Sequence, residues 1–156
     1  MKVFIGKCDD GNNQQVDVHI DSWDTWSMDY TLAPIILPML KQLKETKHGA
    51  PNVDMTDVPQ ELRCNDINAQ KYWTKGETDE KFFERWNWIM DEMIWAFEQK
   101  CKDDWEDTFY GPYTENPDGG IFGTFQWIDR DGLIKHQERM SNGFRLFGKY
   151  YENLWD

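Results

Sequence analysis

At 156 residues the chain is long enough to bury most of its apolar surface within one domain, without disulfides or a structural metal. Its 29 acidic residues against 17 basic ones leave a net charge of −12, a field that repels phosphate backbones and anionic lipid and so argues against direct nucleic-acid or membrane binding. Nine Trp, nine Phe and six Tyr mean that the core is built from large flat side chains, some of them left at the surface as anchors for ligands or subunits.

Val3–Lys7 and Val16–Asp21 both read as strands. The second alternates cleanly, with Val16, Val18 and Ile20 on one face and Asp17, His19 and Asp21 on the other. Asp9, Asp10, Gly11, Asn12 and Asn13 supply turn chemistry between them, so a β-hairpin is expected. Ser27 is placed to cap a helix in which Leu32, Ile35, Ile36, Met39, Leu40 and Leu43 form an apolar stripe. Pro34 and Pro38 lie inside that stripe, which predicts either a kink or a helix that begins near Pro34.

From about Gly49 to Gly76 periodicity is lost, leaving a long irregular segment with room for a short helix around Gln60–Asn65. Thr78 then caps the clearest helix, expected over Asp79 to about Lys102, where Phe82, Phe83, Trp86, Ile89, Met90, Met93, Ile94 and Phe97 make a broad stripe. Trp88 and Trp95 fall off it, so this helix is either buried in the middle of the fold or faces a partner. Residues 103–120 read as an acidic loop, Ile121–Ile128 as a third strand, and Leu133–Leu154 as the last helix, in which Gly143 and Gly148 imply close approach of another backbone. The expected architecture is α+β, a single domain over residues 1–156, with the N-terminal hairpin and third strand forming a small antiparallel sheet packed by three long helices.

No apolar run approaches the roughly 20 residues of a membrane span, and residues 1–6 are too short for a secretory leader. Cys8, Cys64 and Cys101, an odd number without a C-x-x-C pair, suggest reduced thiols and a cytosolic setting.

Catalytic signatures are missing. Gly119, Gly120 and Gly123 precede a strand rather than a helix, and there is no P-loop, nucleophile elbow or H-E-x-x-H helix. Asp129, Asp131, Gly132 and Glu138 share part of the spacing of a calcium loop, but Trp127 stands where its first carboxylate belongs, so a turn and helix cap is the simpler reading. Asp17, His19 and Asp21, with Asp24 or Asp29, could converge on a divalent metal and so serve a hydrolase; the alternative is the solvated face of an edge hairpin. No cofactor is implied. Lys135, Arg139, Asn142, Arg145 and Lys149 recur every three or four residues and share one helical side. They either form salt bridges, for example to Asp91 and Glu92, or line a pocket for an anion beside Trp23, Trp26 and Tyr150, since a guanidinium forks onto phosphate while rings stack on a base.

Three stretches, Trp23–Ala33 (WDTWSMDYTLA), Arg85–Trp95 (RWNWIMDEMIW) and Asn142–Tyr151 (NGFRLFGKYY), resemble a family of small tailed-phage proteins, as do residues 43–51 and the Leu154–Asp156 ending. Tyr30 stands where many members carry His. The resemblance implies a bacteriophage setting and the cytoplasm of an infected bacterium, but no reaction. Together with the cation row it leads to an expected role as a counter-defence protein that sequesters a small nucleotide-like host signal, alone or as a homo-oligomer, without catalysis. The alternatives are an acidic nucleic-acid mimic that inhibits a host nucleic-acid enzyme, and the metal-dependent hydrolase.

Overall fold

The computed structural model of the protein describes residues 1–8, 13–64, 78–114 and 124–155. Its first elements are the expected hairpin, β1 (Lys2–Cys8) antiparallel to β2 (Gln14–His19), with Val3 opposite Val18 and Ile5 opposite Val16. A 3₁₀ turn at Ser22–Thr25 follows. Asp21 caps it by accepting from the Trp23 amide, while Asp24 accepts from the Asp21 amide at 2.7 Å and from the Met1 ammonium at 2.6 Å.

The helix α1 (Met28–Thr46) begins at Met28, ahead of both prolines, and runs through them. Each proline leaves the carbonyl four residues earlier without an amide partner; here Tyr30, Pro34 and Pro38 are all exposed, so water can satisfy what the ring removes. Ser27 occupies the cap position, but its side chain makes no cap bond. The entry is held instead by Thr31, whose hydroxyl donates to the carbonyls of Asp24 (3.0 Å) and Ser27 (3.3 Å).

Beyond α1 the chain forms two single 3₁₀ turns, Met55–Asp57 and Gln60–Leu62, the second standing where a short helix was expected. The next helix, α2 (Phe82–Lys100), starts later than the sequence suggested, and Thr78 does not cap it. Asp79 takes that part by accepting from the Lys81 amide and from the Arg85 guanidinium. The stretch expected to be an acidic loop contains a strand, β3 (Tyr110–Thr114), antiparallel to β4 (Thr124–Trp127). Pro112 has no amide to give the ladder, and the register slips between Tyr110 and Tyr113. The fold is α+β, but its strands form two separate two-stranded sheets, because the expected third strand pairs with this fourth one and does not extend the N-terminal hairpin. The last helix, α3 (Arg130–Lys149), gives way to a 3₁₀ turn at Tyr151–Asn153 and so ends before Leu154. Asp129 caps it by accepting from the Gly132 amide at 2.8 Å, which is the turn-and-cap use of the aspartates.

Helix α2 is the middle of the fold. Trp86, Ile89, Met90 and Met93 are fully buried, and its two faces meet the other helices in antiparallel fashion. Lys100 pairs with Asp29 and Asp91 with Lys44 on the α1 side. On the α3 side Trp95 meets His136, Glu92 meets Arg139, and Trp86 meets Tyr150. Ala33 and Leu40 from α1 and Leu146 and Tyr150 from α3 complete the core with Val53 and Val58. Gly143 sits where α3 touches Ala96 and the Glu92 carbonyl, the close approach its sequence context implied. Gly148 faces open space, so there the same expectation fails.

Candidate interaction surface

The structure resolves the cation row of α3 into ion pairs. Arg139 forks onto Glu92, with Nε to Oε2 at 3.0 Å and a terminal nitrogen to Oε1 at 2.7 Å, and its guanidinium lies 3.9 Å from the centre of the Trp95 ring. Arg145 donates to Asp57 at 2.8 Å and to the Asn142 amide oxygen at 2.9 and 3.0 Å. Lys149 reaches Asp57 at 2.5 Å and Asp54 at 3.1 Å, and the Tyr150 hydroxyl donates to Asp57 at 2.7 Å while accepting from the Asp54 amide. Burial on its own would raise the Asp57 carboxyl, yet the bonds from Lys149, Tyr150 and Arg145 outweigh it and hold the group below its ordinary range. Burial, reinforced by Asp57, pushes the Tyr150 hydroxyl up to about 12. Asp54 is held well below the usual carboxylate range by the Thr56 amide and hydroxyl, with help from Lys149.

Internal pairing is therefore the arrangement that Arg139, Arg145 and Lys149 adopt, while Lys135 is exposed. Glu92 is one of the row's partners, as the salt-bridge reading had it; Asp91 instead pairs with Lys44. Asp54 and Asp57 were not anticipated, since they lie in the aperiodic segment.

Nor does the fold gather the candidate ligand residues in one place. Trp23 and Trp26 stack on each other, ring centres 5.1 Å apart and planes 9° from parallel, and both are exposed. They lead into the first turn of α1, which lies against Lys100 at the end of α2. Tyr150 lies against Trp86 in the first turns of α2, about 20 Å away along that helix at 1.5 Å per residue. The alternative metal set does not close either, although Asp17 and His19 share one face of β2. Asp21 is occupied as a cap, Asp24 holds the Met1 ammonium, Asp29 pairs with Lys100, and among the described residues no three acidic, His or Cys side chains converge to hold a metal.

His136, which entered no sequence motif, sits in an aromatic box. Trp105 stacks on it at 5.0 Å and 7°, Trp95 lies 4.9 Å away, and Phe109 meets it edge-on at 5.4 Å. Its Nε2 is buried with no hydrogen-bond partner among the described residues, and burial, helped by Lys102 and Arg139, lowers its affinity for a proton. Because the folded value lies below the ordinary 6.5, the unfolded chain takes up this proton first as pH falls. The stability contributed by the neutral ring is complete above that value and is lost as pH drops through the lowered one. Urea midpoints measured between about pH 7 and pH 5 should fall for the wild type and fall less steeply for His136→Gln.

An apolar groove lies elsewhere. Leu32, Ile36, Met39 and Leu43 on the outer side of α1 face Phe147, Tyr151, Leu154 and Trp155 at the C-terminal end, enclosing an open groove of about 1130 Å³. The sequence stripe of α1 thus serves two purposes. Leu40 is buried in the core and also borders the groove, while Leu32, Ile36, Met39 and Leu43 line it. What betrayed it in the sequence was a stripe broader than one helix contact needs.

No protein-family model, curated protein or solved structure matches this chain. Among the described residues no helix is long and apolar enough to cross a membrane.

Proposed function

We propose that the chain is a non-catalytic acidic interaction protein that holds a basic amphipathic helix of a partner protein in the groove between α1 and the C-terminal segment. The observation that carries this reading is the groove itself. Its lining at residues 32, 36, 39 and 43 presents one helical ridge, the form into which a second helix interdigitates. Its volume exceeds the roughly 300–1,000 Å³ of a typical small-molecule pocket. A net charge of −12 draws a cationic partner and opposes a phosphate-bearing one. A nucleotide-like signal at Arg139 and Arg145 would have to displace Glu92 and Asp57 from guanidinium groups they already satisfy. In the setting that the phage resemblance implies, the partner is a host protein with a basic surface that normally receives nucleic acid.

Fluorescence anisotropy of a labelled Lys/Leu amphipathic helical peptide tests this. Binding is expected in the micromolar range, weakening as salt rises. Met39→Glu, at an exposed groove position, should abolish it while leaving the circular dichroism spectrum unchanged. Peptide binding that is indifferent to Met39→Glu would remove the reading. A cyclic or ADP-ribose-type nucleotide that raises the melting temperature in the wild type but not in Arg145→Ala would replace it with sequestration.

A further inference from the structure

The N-terminal hairpin is two-faced. Val3, Ile5, Val16, Val18 and Ile20 alternate onto one side, whereas Lys2, Asp17 and His19 fall on the other with Phe4 as the one large apolar side chain. In an ordinary antiparallel sheet such an apolar side rests on the core. Here all five of its residues are 41–58 % exposed. A lone two-stranded hairpin is at best marginally stable in water, so a face of this composition requires a cover that is present wherever the protein is.

We propose that the cover is a second copy of this chain, the two hairpin faces packing together about a twofold axis. Flat faces of β-branched side chains are self-complementary and interdigitate when sheets lie roughly 10 Å apart, and a twofold dimer needs only one such patch. No ionised side chain lies among the five, so the contact desolvates no charge, and the mutual repulsion of two chains of −12 is screened at physiological salt. The patch also extends beyond the hairpin. The salt bridge from the Met1 ammonium to Asp24 ties the Ser22–Thr25 turn to the start of the hairpin, and we take the exposed Trp23–Trp26 stack on that turn to continue the contact. Trp23 and Trp26 are 71 % and 77 % exposed. Scaled to whole-residue areas of about 150–250 Å², the five aliphatic side chains and the two indoles present on the order of 800 Å² per copy, the contribution of each partner to a standard stable interface. The hairpin alone would supply roughly half of that, so the tryptophans are integral to the contact.

This dimer uses a different face from the groove, so its failure and that of the peptide-binding reading are told apart by which assay is silent. The experiment is sedimentation velocity on the whole chain, without peptide, over about a hundredfold range of concentration. The wild type should sediment at twice the chain mass of 18.7 kDa. Val16→Lys combined with Val18→Lys should sediment as a monomer whose helical circular dichroism is retained. Phe4→Lys, on the opposite face of the same strand pair, should remain a dimer. Trp23→Ala with Trp26→Ala, both exposed and hence tolerated by the fold, should raise the dissociation constant at least about tenfold even if the lysine variant fails to fold. A monomeric wild type, a Phe4→Lys variant that dissociates as the valine variant does, or a tryptophan variant that dimerises undiminished would each overturn the proposal.

Discussion

Replacing Gly143 by Ala should destabilise the protein by about 3 kcal/mol, the upper end of what an overpacked methyl group costs. An added Cβ would lie 2.4 Å from the Ala96 Cβ and 2.6 Å from the Glu92 carbonyl oxygen. Neither atom can swing aside. One is fixed to the backbone of α2 and the other belongs to it, so relief requires the two helices to separate. Separation would loosen the Arg139–Glu92 fork and the Phe97–Phe144 contact on either side of the crossing. Gly148→Ala, five residues later on the same helix, provides the contrast. Its Cβ would meet nothing within 4 Å, so removing backbone freedom should stabilise by up to about 1 kcal/mol. Urea unfolding of both variants distinguishes a steric account from a general intolerance of α3 to change.

The second large effect is expected at Asp57. Its side chain is 4 % exposed, and it receives Arg145, Lys149 and the Tyr150 hydroxyl together. Asp57→Ala leaves a buried phenol without its acceptor, Arg145 without a carboxylate and Lys149 with Asp54 alone. Removing one member of a buried pair commonly costs about 3–5 kcal/mol; Arg145 and Lys149 are partly exposed and can recover water, so about 2–4 kcal/mol is expected here. For a chain of this length that lowers the melting temperature by roughly 5–15 °C. The pH dependence has a definite sign. The Asp57 and Asp54 carboxyls titrate lower in the folded chain than in the unfolded one, so the stability they contribute is present above the ordinary value of 3.8 and is lost as pH falls through their lowered values. Wild-type stability should therefore drop below about pH 4, and the drop should be shallower in Asp57→Asn. An unchanged acid limb in that variant would show that the carboxylate is not the linchpin of the segment before α2.

How far these features could be read from the chain depended on how locally they are encoded. The alternation of Val16, Val18 and Ile20 and the stripe through Trp86, Ile89, Met90 and Met93 are short-period signals that carry their own element type, and both were legible. Strand β3 was not, because Gly111 and Pro112 interrupt its apolar pattern and its pairing with β4 is settled ten and more residues away. The cation row was visible, but its fate was not. Asp57 lies 88 positions from Arg145 in a segment without periodicity, and only the tertiary fold brings them together. Trp23, Trp26 and Tyr150 likewise belonged to one imagined pocket until the antiparallel run of α2 placed them at its two ends. Of the lining of the groove, the α1 half was written in the stripe and the Trp155 half was not.

The central position of α2 also has a consequence for how the chain is made. Both outer helices rest on the one that is synthesised between them, so α1 leaves the ribosome with no surface to settle on. At about 5–20 residues per second, the 54 residues from Thr46 to Lys100 take roughly 3–11 s to add. For that interval Leu32, Ile36, Leu40 and Leu43 are presented to solvent together, and nascent chains should be most prone to chaperone capture at lengths short of the end of α2.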